Sequence, residues 1–181
     1  MRVSIITPLF PPDLGGAALY TKELARRLAP KYAVTVLAYG HLPEKVEGVP
    51  IITVDKRRPL FVRLLHFTFA LWKTARKSDV LIIENGPSVE LPLACISFIL
   101  RQQRIVHIGD VAAFEYTSQK FLLHAIQKRA FKHAQKIIRE IPLQHPEIFS
   151  FRPTPQKELN AHETSWKKHL ELLEDLFTYG T

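Results

Sequence analysis

Two adjacent glycines, Gly15 and Gly16, follow a short apolar run and a proline-rich bend, and a helical pattern begins at Ala17. Glycines let the backbone approach a ligand closely, and the unpaired N–H groups of the first helical turn point toward whatever binds there. A phosphate suits such a site. The competing interpretation is a tight turn that only allows the helix to pack on a sheet. We predict a phosphate-binding role for the pair.

Several polar side chains fall at the carboxyl ends of predicted strands or in the loops that follow them. Glu84, Asp110 and Glu115 have this placement, and open α/β sheets bind ligands at that edge. Each carboxylate could bind substrate hydroxyls, or could instead cap a helix or lie on the surface. His107 lies within a predicted strand, where a histidine is more often a satisfied core side chain than a catalyst. The spacing of Cys, His and acidic residues predicts no metal site, and Cys95 lies in an apolar run that predicts a buried thiol.

These residues depend on a regular alternation of strands and helices. The sequence predicts strands at 3–7, 34–38, 51–54, 79–84, 104–108 and 136–138, and helices at 17–29, 60–77, 88–101 and 118–134. This rhythm is typical of an α/β fold with a mostly parallel sheet. We therefore predict a Rossmann-like domain at 1–140, a proline-rich linker at 141–159 and a C-terminal amphipathic helix at 160–181, with Asn160 and Glu163 as its capping box.

Charge and composition restrict the class of partner. The chain has 181 residues, enough for one domain with a full core, and its net charge of +8 favours an acidic partner. The start of the chain lacks the pattern of a signal peptide, and the single cysteine is typical of a reducing compartment, so we expect a cytoplasmic protein. Nucleic acid is disfavoured because the aromatic residues follow a helical spacing with Leu and Val rather than forming a stacking platform.

The acid-free stretch 56–77 places basic residues on both sides of an aromatic middle. Such a segment can lie in the interface of an anionic membrane, which would make the protein peripheral on the inner face. A core helix with basic ends explains the same pattern equally well. The candidate membrane-interface residues are Arg57, Arg58, Phe61, Arg63, Trp72 and Lys73.

The loop at 8–16 and the helix after it, with Tyr20 and the run 24–28, resemble the N-terminal half of the family 4 retaining glycosyltransferases, which have the GT-B fold. The resemblance continues through 79–82 and 105–110 and covers about residues 1–139. The segment 160–177 also resembles the last helix of these enzymes, which packs back on the first domain. The resemblance implies a single three-layer domain, the N-terminal half of a GT-B fold, with most of the donor-binding half absent.

The family pattern also implies roles for individual residues. Gly15 and Gly16 would lie near the diphosphate of a nucleotide sugar, which is the donor substrate, and no cofactor is expected. The family often has a histidine before Gly-Asp, where this chain has Ile108, with His107 one residue earlier and facing the opposite side of the sheet. The candidate catalytic residues are Asp110 and His107, and the candidate acceptor-binding residues are Phe10, Glu84, Asn85 and Glu115.

The resemblance implies an enzyme, a glycosyltransferase or a subunit of one, that transfers sugar from a nucleotide sugar to a lipid-linked or polysaccharide acceptor. A second subunit or a homodimer would complete it. The alternative is a non-catalytic binding or regulatory module that keeps the fold. A nucleotide-binding domain of the dehydrogenase type is a further alternative, but the sequence lacks G-x-G-x-x-G after its first strand.

Overall fold

The computed structural model describes residues 1–139, 142–143 and 156–178. Residues Met1–Ile138 form one compact unit, and Arg139–Thr181 form a second. The strands are β1 (Arg2–Thr7), β2 (Ala33–Tyr39), β3 (Ile51–Val54), β4 (Val80–Glu84), β5 (Gln103–His107) and β6 (Lys136–Ile138). The helices are α1 (Gly16–Leu28), α2 (Leu60–Ala75), α3 (Pro87–Ile96), α4 (Val111–Gln119), α5 (Phe121–Phe131) and α6 (Gln156–Thr178).

The six strands form one parallel sheet in the order β3-β2-β1-β4-β5-β6. The central strands are apolar on both faces, as a sheet covered on both sides requires, and every residue of β4 is buried. The chain moves outward from β1 to β2 and β3 and then returns to β4 on the other side of β1. The sequence order therefore reverses between β1 and β4, which confirms the predicted Rossmann-like α/β fold.

Helices on the two faces of the sheet form the outer layers. Phe67 and Leu71 of α2 belong to a buried cluster that also includes Leu93 of α3 and Ala130 of α5. Alternate residues of β5 face opposite layers: Val106 belongs to this cluster, whereas the ring of His107 stacks on Tyr20 of α1. The predicted orientation of His107, opposite to Ile108, is confirmed.

The region after β5 differs from the prediction of one helix at 118–134. Two helices replace it, because Lys120 adopts an extended backbone conformation (φ −99°, ψ 114°) between α4 and α5. The first of them begins earlier than predicted because the Asp110 side chain caps it, with the backbone N–H of Ala113 donating to Oδ1 at 2.8 Å. The helix predicted at 88–101 ends at Ile96, and Cys95 is exposed rather than buried.

The second unit contains α6, which begins four residues before the predicted start. Asn160 therefore lies inside the helix, and the predicted capping box is wrong. The predicted face is confirmed, since Trp166, His169, Leu173 and Phe177 are buried along it. Most of the predicted linker at 141–159 lies outside the described residues. None of the described helices is long and apolar enough to cross a membrane.

Candidate functional site

A cleft of about 300 Å³ lies at the carboxyl ends of the strands in the first unit. Loops that follow β1, β3, β4 and β5 form its walls, together with the last residue of β2 and the first turns of the helices. This is the edge where the strand order reverses, the usual ligand site of an open α/β sheet. The lining residues are Pro8, Leu9, Ala17, Tyr39, Lys56, Arg63, Asn85, Gly86, Pro87, Ser88, Asp110 and Ala113.

Two helix N-termini open into this cleft. Helix α3 begins at Pro87 after Gly86, whose φ of 153° favours glycine, and α4 begins after its cap Asp110. The first N–H groups of a helix have no intrahelical acceptor, and the helix dipole makes them attractive to negative charge. The cleft therefore has two sources of partial positive charge that belong to the backbone.

Asn85 and Asp110 hold the two loops in a fixed relation. The Asn85 side-chain amide donates to the Asp110 carbonyl at 2.8 Å, and the Asp110 backbone N–H donates to Asn85 Oδ1 at 3.0 Å. Asn85 is buried, so this reciprocal pair is protected from water. The exposed Asp110 carboxylate is thus positioned at the cleft by its neighbour across the sheet and by its capping bond.

Two cationic side chains line the opposite wall. Lys56 forms an ion pair with Asp13 of the loop after β1, and Arg63 Nη1 donates to the Lys56 carbonyl at 3.1 Å. The Arg63 guanidinium carbon lies 5.6 Å from the centre of the Tyr39 ring, and its Nε is buried without a hydrogen-bond partner. An unsatisfied buried N–H of a charged group costs free energy that an anionic ligand could recover.

Tyr39 connects the cationic wall to α3. Its hydroxyl donates to the Ser88 carbonyl at 2.9 Å, and its ring stacks on Phe67 of the core. Burial raises the pKa of Tyr39 above its usual value, and the nearby charge of Arg63 offsets only part of that effect. The phenol therefore stays protonated and remains a donor.

A buried polar cluster lies beside the cleft. His107 Nδ1 hydrogen-bonds to both carboxyl oxygens of Glu84, at 2.8 and 2.9 Å, and the His107 ring stacks on Tyr20 with ring centres 4.1 Å apart. The side chains of His107 and Glu84 are 1% and 0% exposed. Burial raises the pKa of Glu84, and the charge and hydrogen bond of His107 offset part of that rise. Burial, with a smaller effect of Glu84, raises the pKa of Tyr20.

The predicted catalytic, phosphate-binding and acceptor-binding residues fall into three groups: those that line the cleft, those that are exposed outside it and those that are buried. Asp110 and Asn85 line the cleft, whereas Gly15 and Gly16 are exposed at the start of α1, next to the lining residue Ala17. Gly15 has a φ of 151°, a conformation that favours glycine. Glu115 is exposed on α4 and does not line the cleft.

Phe10, Glu84 and His107 are buried and do not line the cleft, and their acceptor-binding or catalytic roles stay predictions. Phe10 is 2% exposed. Phe10 lies within the proline-rich bend, between Pro8 and Pro11, and the other two side chains hydrogen-bond to one another at the ends of adjacent strands. Their expected influence on a ligand is through the loops that they support.

The candidate membrane-interface residues, in and just before α2, also differ in their surroundings. Arg57 pairs with Asp55, Arg58 hydrogen-bonds to His66, and Phe61 is 72% exposed. Lys73 is exposed as well, and Trp72 is half-buried under the Arg76 guanidinium. Arg63, which was predicted at a membrane interface, lies in the cleft beside Tyr39, and its role at a membrane stays a prediction.

Polar cleft residues to which the sequence analysis gave no role include Lys56, Tyr39 and Ser88, and Arg63 was not predicted in the cleft. Lys56 follows β3 and Tyr39 ends β2, so their position at strand ends was the available signal. A larger groove of about 800 Å³ lies near the amino ends of the strands, where it includes Arg2, Ala33 and Lys73. Since α/β sheets bind ligands at the opposite edge, the smaller cleft is the candidate site.

Comparison with solved structures shows which known proteins have this fold. The Anabaena protein HepE, in complex with UDP and glucose and with UDP, matches with a TM-score of 0.55 at 18% and 17% identity. The match covers 91% of this chain and 41% of the HepE chain. The C-terminal domain of the coenzyme A biosynthesis bifunctional protein CoaBC matches with a TM-score of 0.50 and 14% identity, covering 96% of both chains.

No protein-family model and no curated protein matches the sequence. At these identities the structural likeness concerns the fold, and one fold serves many functions. The chain therefore has a Rossmann-like fold that part of HepE shares, and it spans 41% of the HepE chain.

Proposed function

We propose that this chain is the acceptor-side half of a nucleotide-sugar-dependent glycosyltransferase of the retaining family 4 type. The observation that carries the proposal is the cleft, in which Arg63, Lys56 and two helix N-termini meet at the carboxyl edge of a glycosyltransferase-like fold. A further domain or a second subunit would supply most of the donor site. HepE binds UDP and glucose, and a nucleotide sugar is the corresponding donor substrate here.

The chemistry of sugar transfer needs negative charge to be stabilised on the departing diphosphate. Arg63 and the N-terminus of α3 are suited to that task because they are fixed before the ligand arrives. Gly15 and Gly16, at the start of α1, would approach the same diphosphate from the next loop. The Asp110 carboxylate is the group that would bind an acceptor hydroxyl, since it is exposed in the cleft and accepts a hydrogen bond from the Ala113 N–H, while its own backbone N–H donates to Asn85.

Titration calorimetry of the chain with UDP, UDP-glucose and other nucleotide sugars tests the proposal. We expect saturable binding that weakens about tenfold or more in Arg63→Met, because a hydrogen bond from a charged group contributes about 1.5–3 kcal/mol. Arg101→Met is the matched control, since Arg101 is exposed and does not line the cleft. Absence of binding with every nucleotide would favour the alternative, a non-catalytic binding or regulatory module. Equal losses in both variants would contradict the assignment of the cleft.

An anionic membrane surface is the partner that the outer face of the first unit favours. Phe61 and Phe69 of α2 are 72% and 61% exposed, and Phe121 at the start of α5 is 91% exposed. Exposed aromatic side chains beside Arg58 and Lys73 are typical of a protein that lies on headgroups without spanning the bilayer. We therefore propose that the chain is a peripheral protein of the cytoplasmic membrane face.

A further inference from the structure

The larger groove at the amino ends of the strands lies between the sheet and the second half of α2. Its volume is about 800 Å³, and it shares no lining residue with the cleft. The proposed sugar transfer therefore makes no use of it. We call this space the amino-edge groove, and its size is within the roughly 300–1,000 Å³ range of small-molecule sites.

Small side chains on the sheet open the amino-edge groove. Ser4 of β1 pairs in register with Thr35 of β2, and both line the groove together with Ala33. Two residues further along the same face of the sheet, Ile6 and Leu37 belong to the buried cluster under α2. The side chains thus become smaller toward the amino ends of the strands, and space remains between the sheet and the helix.

The hydroxyl groups on the floor of the amino-edge groove satisfy one another. The Ser78 hydroxyl donates to the Thr74 carbonyl at 2.8 Å, and the hydroxyl oxygens of Ser4 and Ser78 lie 2.6 Å apart. Since the Ser78 proton is directed to Thr74, Ser4 donates to Ser78. Both protons are therefore in use, and an aliphatic chain on this floor would leave neither serine without its hydrogen bond.

The outer rim of the amino-edge groove changes from aromatic to cationic along α2. Phe69 and Lys73 are four residues apart and so lie one above the other on the helix, and Lys77 lies in the turn that follows α2. All three side chains are exposed. A ligand along this rim would meet an apolar surface at one end and two ammonium groups at the other.

The charges around the amino-edge groove favour an anion. None of its lining residues is acidic, and Lys73 and Lys77 form no ion pair with the residues that the structure describes. The third cation, Arg2, has its Nη2 atom 2.8 Å from Asp79 Oδ1, so these two charges offset each other. The remaining positive charge attracts a carboxylate, whereas the nearby Asp79 would repel a doubly charged head more strongly than a singly charged one.

We propose that the amino-edge groove binds a free single-chain carboxylate, with its head at Lys77 and Lys73 and its aliphatic chain between Ala70 and Thr35. The carrying observations are the polarity gradient of the rim and the excess of positive charge at one end. The wall from Phe69 to Lys77 is about 12 Å long at 1.5 Å per residue, which suits a medium-length chain. This inference goes beyond the proposed function and does not depend on it.

The position of the groove distinguishes its ligand from a bilayer lipid. Ala70 and Thr74 line the groove on the side of α2 that faces the sheet, whereas Phe61, assigned above to the membrane surface, is exposed near the other end of the helix. Phe61 lies about 20 Å along the helix from its last residue. A chain on the floor is thus separated from the headgroup layer that Phe61 would contact.

Titration calorimetry of the full chain with octanoate, decanoate and dodecanoate, each below its micelle concentration, tests the proposal. Each methylene group that leaves water contributes about a fourfold gain in affinity, so dodecanoate should bind more than tenfold more tightly than octanoate. Dodecyltrimethylammonium has the same chain with a cationic head and should bind much more weakly. Added salt should weaken dodecanoate binding, because the lysines are exposed.

Matched variants test the chain and the head separately. Ala33→Phe places a ring in the groove at an exposed strand position and should weaken dodecanoate binding tenfold or more, whereas Ala125→Phe, at an exposed position outside the groove, should not. Lys77→Gln should weaken all three carboxylates by up to about fivefold and retain the dependence on chain length. Lys132→Gln, another exposed lysine, should have no effect. A urea melt establishes that each variant is folded.

The inference would be overturned by equal affinity for octanoate and dodecanoate, by tight binding of dodecyltrimethylammonium, or by full dodecanoate affinity in Ala33→Phe. Loss of sedimentation with phosphatidylserine vesicles in Ala33→Phe would assign the groove to a bilayer lipid and overturn the assignment of a free carboxylate. The nucleotide titration is independent: its failure with dodecanoate binding intact would count against the transferase alone, and the reverse result would count against the groove ligand alone.

Discussion

Removing the ring nitrogens of His107 should destabilise the fold in a manner that depends on pH. His107→Phe keeps an aromatic ring to stack on Tyr20, but it removes the Nδ1 atom that bonds both oxygens of Glu84 at 2.8 and 2.9 Å. Glu84 is 0% exposed, so water cannot replace the hydrogen bonds that its carboxylate loses. Leaving a buried charge without its partner costs about 3–5 kcal/mol of unfolding free energy near neutral pH.

The sign of the pH dependence follows from Glu84. Burial raises its pKa in the folded state above the unfolded value, so the folded protein binds the proton more tightly. The tighter binding of this proton stabilises the folded protein fully at pH values below the pKa that Glu84 has in the unfolded chain. That stabilisation is lost as the pH rises through the pKa of Glu84 in the folded protein. His107 opposes the rise in the pKa of Glu84, so its removal raises that pKa further and enlarges the loss of stability with rising pH. The cost of His107→Phe should be smallest near pH 5 and largest near pH 8.

Urea denaturation at several pH values between 5 and 8 measures this cost. Glu84→Gln should cost only about 1–2 kcal/mol, because the neutral amide is less expensive to bury. Adding Glu84→Gln to His107→Phe should remove most of the pH dependence. His124→Phe is the matched control, since His124 is exposed and should change stability by less than about 0.5 kcal/mol. A cost for His107→Phe that is below 1 kcal/mol, or that does not change with pH, would refute the reasoning.

Three further predictions concern the cleft and the outer face. Gly86→Ala should destabilise the domain by about 1–3 kcal/mol in a urea melt, because φ is 153° there and the new Cβ would lie 3.1 Å from Pro8 Cγ. Asp110→Ala should cost about 1 kcal/mol through loss of the α4 cap and should also weaken acceptor binding, whereas Asp110→Asn should preserve most of the stability. The double change Phe61→Ser and Phe69→Ser should lower sedimentation with phosphatidylserine vesicles, with no effect on nucleotide titration; unchanged sedimentation would contradict the membrane assignment.

The sequence was sufficient to predict the strands of the sheet, because each strand is an apolar run with clear ends. Each of the six strands was predicted within a residue or so of its observed range, including the short β6. The break between α4 and α5 could not be predicted, since no Gly or Pro stands near Lys120 and the change is confined to one residue's backbone. The start of α6 was also missed because the intervening proline-rich segment has no periodicity that could fix it.

The candidate site was harder to predict because it depends on which strands are neighbours. Glu84 and His107 end two separate strands, and only the parallel register of β4 and β5 places them opposite each other. A sequence pattern shows that both are at strand ends, so each was assigned to a ligand when the two in fact satisfy one another. Lys56 and Arg63 were missed as cleft residues for a related reason, since the connection from β3 to β4 has to pass β2 and β1.

The first turns of α2 explain why neighbouring residues should have unrelated effects when they are changed. Successive residues of a helix differ in direction by about 100°, so Arg63 and Leu64 face different depressions and Phe61 faces solvent. An anion in the cleft and a headgroup layer outside would each contact a separate set of side chains on this helix, while Leu60 and Leu64 line a third, apolar surface together with residues of α3 and α5. The effects of substitutions along α2 should therefore depend on the direction in which each side chain points, so that changes at Leu60 and Leu64 have similar effects. Effects that instead follow the distance in sequence from Arg63 would contradict this arrangement.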